Sequence, residues 1–218
     1  MLALLSSTCL FPQQHTFSLM LDPSGDIKNT GRKIDDCFER GLTLQCAEKL
    51  KIILEERYPT IRVVLTRFAG ETVAPFQNAH FANRLDVDLY ISIHFYHEAA
   101  TQPQSSLYIY TFAYGNEGAL SSSDTAFYSI DKAHWQRYST TRSWAHSLFT
   151  HFQETTENKL FYCKGIHSLP FKPLMGIKAP AIGLELGLKD TSSWHDYVDI
   201  IAQGIGTLIT KTQPLEVL

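Results

Sequence analysis

The sequence predicts a single three-layer α/β/α domain around a mostly parallel, mixed sheet of about six strands. Short β-branched or apolar runs alternate with segments of helical periodicity along the chain. Of the 218 residues, 44% are hydrophobic, which is enough to bury a core. There are 19 Lys and Arg against 22 Asp and Glu, without a basic run. Nucleic acid and an anionic membrane surface are therefore not expected partners.

The chain divides into an N-terminal segment, residues 1–15, and the α/β domain, residues 16–218. The apolar start, Met1–Phe11, lacks basic residues and is compatible with a shortened export signal. No stretch approaches the roughly 20 apolar residues of a membrane-spanning helix, so no transmembrane segment is predicted. The four cysteines are scattered without a C-x-x-C pair, which indicates neither a zinc knuckle nor a disulfide scaffold.

The first half of the domain begins with a strand and a long helix. Thr16–Leu21 predicts a strand that ends at Asp22-Pro23, and the polar residues through Arg32 predict a loop. Glu39–Arg57 predicts a helix, because apolar residues recur along one side of it. The elements that follow are a strand at Ile61–Thr66, a short helix at Phe76–Leu85, and strands at Asp88–His94 and Leu107–Phe112.

The second half opens on an irregular region. Ala113–Thr140 is rich in Gly, Ser and aromatic residues and too long for an ordinary connection, so we predict an insertion at about 113–140. A helix from about Thr141 to Thr155 follows, and then an irregular stretch through Pro173. The last elements are a strand, Ala181–Leu186, and a helix, Trp194–Leu208.

Polar residues at the carboxyl ends of the predicted strands are the first candidates for function, because ligands of open α/β sheets bind there. Asp22 ends the first strand, His94 ends the strand DLYISIH, and Glu39 opens the first long helix. Each has an ordinary structural explanation as well: a turn for Asp22, a hydrogen-bonded histidine for His94, and a favourable helix dipole for Glu39.

Glu185 is the hardest of the candidates to explain structurally. Strand alternation puts it on the face of Gly183 and Gly187, which leaves open space beside its side chain. An ionised carboxylate in such a place needs a partner, a hydrogen bond, a cleft or a metal.

Taken in order, these segments resemble the zinc-dependent N-acetylmuramoyl-L-alanine amidases. These are bacterial cell-wall hydrolases that cut the bond between muramic acid and the stem peptide. The resemblance runs from about Thr16 to Ile209 and is carried by TFSLMLDP, ERGLTLQCAEKL, IRVVLTR, ANRLDVDLYISIH and KAPAIGLELGL. It implies peptidoglycan or muropeptides as substrate and a periplasmic or extracellular location in the cell envelope.

By this resemblance Glu39 and His94 are zinc ligands and Glu185 is the general base. A catalytic zinc ion takes three protein ligands and a water, lowers the pKa of that water toward about 7 and polarises the carbonyl under attack. A carboxylate beside the metal then moves the proton from the water to the leaving amine.

The sequence departs from the family at the third ligand. The family pattern Asp-Pro-Gly-His-Gly-Gly supplies a histidine, whereas residues 22–26 read Asp-Pro-Ser-Gly-Asp here. Zinc binding should therefore be weakened unless another side chain substitutes. Asp26 is the main candidate, since carboxylate oxygen is an acceptable zinc ligand, and Asp22, His15 and His97 are the others.

The resemblance also implies a role for the insertion. Some members of the family carry at this place a segment that covers the active site until a partner removes it, which implies a regulatory protein acting on residues 113–140. Trp135, Tyr128 and Tyr138 could stack on sugar rings or seal the cleft, or they could form a packing cluster of their own.

Two hypotheses follow from the sequence. The first is a zinc amidase of peptidoglycan with an altered metal shell. The second is a pseudoenzyme that keeps the fold and binds wall fragments or a protein partner. Motifs of serine hydrolases, P-loop proteins and dinucleotide-binding proteins are absent from the sequence.

Overall fold

The computed structural model describes residues 16–74, 76–99, 101–113, 129–155 and 161–212. Its strands are β1 Phe17–Pro23, β2 Lys33–Ile34, β3 Cys37–Phe38, β4 Ile61–Leu65, β5 Leu89–His97, β6 Ser105–Phe112, β7 Phe161–Leu169 and β8 Ala181–Leu188. Its α-helices are α1 Glu39–Arg57, α2 Gln77–Leu85, α3 Tyr138–Thr155 and α4 His195–Thr212. None of these helices combines the length and the apolar character needed to cross a membrane.

Six of the strands form one sheet in the order β4-β1-β5-β8-β6-β7. Neighbouring strands are parallel, except that β8 and β6 are antiparallel. The predicted mostly parallel, mixed sheet of about six strands is therefore confirmed. The short strands β2 and β3 pair with each other as a separate hairpin between the predicted loop and α1.

Helices cover both faces of this sheet. The larger cluster of buried residues lies between one face and helices α1, α3 and α4. A smaller cluster lies on the other face, where α2 and the segment around Leu174 and Ile177 pack. Alternation along β1 shows the division, since Leu19 and Leu21 belong to the larger cluster and Met20 to the smaller one. The three-layer α/β/α architecture is confirmed.

The predicted irregular stretch through Pro173 was wrong, because it contains β7. This strand lies at the edge of the sheet and includes Lys164 and Gly165, and its last three residues are exposed. It is held by its pairing with β6, which shifts register between Leu107 and Ile109. A strand stabilised by a distant partner carries little local signal in its own sequence.

Two of the predicted regions fall wholly or partly outside the described residues. The N-terminal segment, 1–15, and residues 114–128 of the predicted insertion lie outside them. The described end of that insertion holds a 3-10 turn, Ala133–Arg137, and the beginning of α3. There the rings of Trp135 and Tyr138 contact each other with centroids 4.8 Å apart, and His134 contacts Phe112 at 4.7 Å. Trp135 and Tyr138 thus belong to a packing cluster, whereas Tyr128 lies outside the described residues.

Candidate active site

Strand register brings two of the predicted site residues side by side. His94 on β5 pairs with Glu185 on the parallel strand β8. Their strand neighbours Phe95 and Leu186 point into the larger core, so His94 and Glu185 both project from the opposite face. Glu39, the first residue of α1, joins them, with its Oε1 3.4 Å from Nδ1 of His94. The structure therefore places all three residues at the carboxyl ends of the central strands.

The Glu39 carboxylate is buried and fully engaged. Its Oε1 accepts the backbone N–H of Phe95 at 3.1 Å, and its Oε2 accepts the backbone N–H of Arg32 at 3.0 Å. Burial opposes ionisation, but the hydrogen bonds from His94 and from these two backbone groups outweigh it and lower the pKa of Glu39. Glu39 is therefore an anion that ties the loop before β2 to the end of β5.

His94 is connected through its other nitrogen to a buried polar network. Its Nε2 lies 2.9 Å from the hydroxyl of Ser92, which in turn donates to Oδ2 of Asp22 at 3.0 Å. Asp22 also accepts hydrogen bonds from Thr66 at 2.8 Å and from Asn78 at 2.7 Å. These three donors come from different elements, so Asp22 joins the strand ends to α2 and orients the imidazole of His94 through Ser92.

Glu185 is held by two residues that the sequence analysis did not select. Nη1 of Arg32 lies 2.5 Å from Oε1 of Glu185, and the hydroxyl of Tyr110 donates to Oε2 at 2.7 Å. Burial and the bond to Glu185 raise the pKa of Tyr110. Burial acts to lower the pKa of Arg32, but the carboxylates of Glu185 and Glu39 outweigh it and raise that pKa. Both partners therefore keep their protons beside the carboxylate.

Aromatic rings fill the space that was predicted to be open beside Glu185. A side chain at Gly183 would meet Phe171, with its Cβ 2.7 Å from the ring, and one at Gly187 would meet Tyr96 and Glu98. The two glycines are therefore needed because rings pack against the strand on either side of Glu185. The alternation in LYIYTF places Tyr108 and Tyr110 on one face of β6, so this sequence pattern could have indicated Tyr110.

Asp26 lies in the predicted loop, but its carboxylate serves the loop itself. Its Oδ1 accepts the backbone N–H groups of Lys28 at 2.8 Å and Asn29 at 2.6 Å, and its Oδ2 accepts that of Val73 at 2.9 Å. The bond from Val73 overcomes the effect of burial, and with those from Asn29 and Lys28 it lowers the pKa of Asp26. These contacts do not support a role for Asp26 as a zinc ligand, and that role stays a prediction.

His97, another candidate ligand, does not join the site either. Nδ1 of His97, an exposed residue, lies 3.6 Å from the carboxylate of Asp35, and His15 lies outside the described residues. Asp22 is used by the network described above.

Comparison with known proteins identifies the class of protein that carries this fold. The profile of the N-acetylmuramoyl-L-alanine amidases matches residues 19–199. The chain belongs to this family, and the resemblance noted from its sequence is confirmed. A curated relative, the N-acetylmuramoyl-L-alanine amidase CwlM of Bacillus licheniformis, is 33% identical over 76 residues. That match covers 35% of this chain and 30% of the relative.

Solved amidase structures have the same fold. The N-acetylmuramoyl-L-alanine amidase of Clostridium difficile 630 superposes with a TM-score of 0.66 at 20% identity, over 93% of this chain and 99% of that one. The catalytic domain of CwlV from Bacillus (Paenibacillus) polymyxa var. colistinus gives 0.63 at 20% identity, over 90% and 97%. The CwlD amidase of Clostridioides difficile, solved in complex with the GerS lipoprotein, gives 0.60 at 11% identity, over 89% and 99%.

The family is generally zinc-dependent, and the residues of this site can be tested against that requirement. Two ligands of a tetrahedral zinc ion lie about 3.4 Å apart, given bond lengths of about 2.0–2.1 Å. The 3.4 Å between Glu39 and His94 suits such a pair. Among the described residues, however, no group of three His, Cys, Asp or Glu side chains could hold a metal.

The loop also leaves no room for the missing ligand. Gly25, which aligns with the family's histidine, has a φ of +80°, and a Cβ there would lie 2.8 Å from Cβ of Arg40 and from the carbonyl oxygen of Asn29. The described residues therefore do not fit a three-ligand zinc site, although the spacing of Glu39 and His94 suits a pair of ligands.

Proposed function

We propose that this chain is a peptidoglycan amidase, which hydrolyses the amide bond between N-acetylmuramic acid and the L-alanine of the stem peptide. The observation that carries the proposal is the convergence of Glu39, His94 and Glu185 at the strand ends, in a chain of the amidase family. Such a substrate means that the protein acts in the cell envelope, periplasmic or extracellular.

Glu185 is the general base of the proposed reaction. Its side chain is 11% exposed, and Arg32 and Tyr110 hold the orientation of the carboxylate. A carboxylate so placed takes a proton from a water molecule and passes it to the leaving amine. No step is assigned to zinc, because Glu39 and His94 lack a third ligand among the described residues.

The alternative hypothesis was a pseudoenzyme that binds wall fragments without cleaving them. Each relative named above is an amidase, so the comparisons give this alternative no support. Hydrolysis distinguishes the two hypotheses directly.

The test is the release of stem peptide from purified peptidoglycan, measured as new L-alanine amino termini. Wild type should release stem peptide, and Glu185→Gln should lower the rate by about 10²–10⁴-fold, because amide nitrogen cannot take the proton. Glu48→Gln, at an exposed position of α1, is the matched control and should leave the rate unchanged. Folded wild type that releases nothing would refute the proposal in favour of a binding protein.

A protein partner is a further part of this proposal. CwlD has been solved with a lipoprotein, which supports looking for a partner of this chain as well. A regulatory protein acting on residues 113–140 stays a prediction, since residues 114–128 lie outside the described ranges.

A further inference from the structure

The positively charged group in this site is the guanidinium of Arg32. Nη1 of Arg32 contacts the carboxylate of Glu185 at 2.5 Å and the carbonyl oxygen of Phe95 at 3.4 Å. The guanidinium also lies over the ring of Tyr96, 5.9 Å from its centroid. Arg32 therefore reaches from the loop before β2 across the ends of β5 and β8.

The main chain of the loop fixes this position. The backbone N–H of Arg32 donates to Oε2 of Glu39 at 3.0 Å. Gly31 has a φ of +72°, and a Cβ there would lie 2.7 Å from Oε2 of Glu39. A glycine is thus required next to Arg32, because the backbone packs directly against the carboxylate of Glu39. The residue that elsewhere in the family is a zinc ligand here anchors the loop that presents Arg32.

Part of the guanidinium is left free for a ligand. The two contacts above use Nη1, and neither Nη2 nor Nε of Arg32 has a hydrogen-bond acceptor among the described residues. The Arg32 side chain is 52% exposed, against 11% for Glu185. Planar N–H donors of this kind bind carbonyl and carboxylate oxygens.

We propose that Arg32 takes the place of the metal in this site and binds the carbonyl oxygen of the muropeptide amide, so that ligand binding requires no zinc. The identity of the ligand rests on the proposed function. A divalent ion beside the guanidinium would also meet a like charge, and the pairing of Arg32 with Glu185 reduces the negative charge that would attract the ion.

Arg32 would also act in the hydrolysis itself. As the water oxygen bonds to the carbonyl carbon, Glu185 takes the proton of the water, and the oxyanion that forms accepts hydrogen bonds from Arg32. The C–N bond then breaks as Glu185 gives its proton to the amine, which leaves the carboxylic acid and the free stem peptide. Water is the only co-reactant.

Calorimetry on the chelator-treated full chain tests the proposal, with zinc chloride and with N-acetylmuramoyl-L-alanyl-D-isoglutamine as separate titrants. Wild type should bind the muropeptide equally well with and without EDTA, and should not bind zinc stoichiometrically at micromolar concentration. Arg32→Gln should weaken muropeptide binding by at least about tenfold, because a charged hydrogen bond is lost. Arg84→Gln, on the exposed side of α2, is the matched control and should bind like wild type.

Zinc binding by the variant gives a second readout. Arg32→Ala removes the positive charge and frees Glu185 beside Glu39 and His94, so zinc affinity should rise by at least about tenfold over wild type. Arg32→Lys keeps the charge without the planar donors, so it should still exclude zinc but bind the muropeptide more weakly. This variant keeps the test decisive if a neutral residue at position 32 prevents folding.

The outcomes separate this inference from the proposed function. One tightly bound zinc in wild type, whose removal abolishes muropeptide binding, would overturn the role of Arg32 and leave the amidase proposal standing. EDTA-insensitive binding that depends on Arg32, without hydrolysis, would support the role of Arg32 in binding and refute the amidase proposal. Equal muropeptide affinity in wild type and Arg32→Gln, or no muropeptide binding by wild type, would overturn the inference.

Discussion

The two halves of the candidate site differ in how far they follow the amidase family. The strand-end half, with His94 and Glu185 paired across β5 and β8 and Glu39 at the start of α1, follows the family pattern. The loop half, residues 24–32, departs from it, since Gly25 stands at the position of the family's histidine and Arg32 enters the site. The strand ends therefore carry residues of the family pattern, whereas the loop packs around the carboxylate of Glu39.

This difference shows what each kind of element constrains. On neighbouring strands, the sheet register determines which side chains meet, so His94 and Glu185 stay together as long as the sheet is kept. A loop has no such register, and its side chains depend on backbone turns such as those at Gly25 and Gly31. The loop therefore decides whether the site takes a metal or an arginine.

The largest expected effect comes from Glu39→Gln, which breaks the link between the two halves. The amide NH₂ of glutamine would face a backbone N–H, of either Phe95 or Arg32, in a buried position. We expect the free energy of unfolding to fall by about 3 kcal/mol in denaturant titrations at pH 7. Glu48→Gln on the exposed side of the same helix is the control, and a loss equal to the control would contradict the linking role of Glu39.

The stability difference between wild type and the same variant should depend on pH. Because the pKa of Glu39 is lowered in the folded state, its contribution to stability is present above the unfolded pKa of about 4.3 and is lost as the pH falls through the folded value. The difference between wild type and Glu39→Gln should therefore shrink below about pH 4. A constant difference down to pH 3 would mean that ionisation of Glu39 does not stabilise the fold.

A smaller effect is expected from Gly25→His, which restores the family's histidine by sequence. Positive φ and the close contacts to Arg40 and Asn29 should lower the free energy of unfolding by about 2 kcal/mol, without creating stoichiometric zinc binding. Gly70→His is the control, because Gly70 has a similar φ of +86° with nothing within 4 Å of its Cβ, and should cost about 1 kcal/mol. A Gly25→His protein with wild-type stability and one bound zinc would show that the loop still accepts the ligand.

The smallest effect is expected from Tyr110→Phe, which removes one hydrogen bond to Glu185 and keeps the ring that stacks on Phe171. Loss of this bond should cost about 1 kcal/mol, which corresponds to a decrease in kcat of about fivefold, with KM little changed. Steady-state kinetics on a soluble muropeptide would measure it, with the exposed Tyr162→Phe as the control. An unchanged kcat would mean that Arg32 alone orients the carboxylate.

Much of the fold could be read from the sequence, because helix and strand periodicity are local properties. The helix Glu39–Arg57 was predicted with the bounds that it has in the structure, and Glu185 was correctly placed on the face of the glycines. Strand β7 was missed, because an edge strand with Lys164 and Gly165 is held by its partner β6 rather than by its own pattern.

By itself, the sequence determined the order of most of the elements, the family and the three residues at the strand ends, since short motifs and alternation carry that information. Only the tertiary structure decided what surrounds them. The pairing of Arg32 with Glu185 spans 153 positions of the chain. The carboxylate of Asp26, which binds its own loop, also accepts a hydrogen bond from the backbone of Val73. Neither has a local sequence signal, because each contact forms only when the loop packs against the completed sheet.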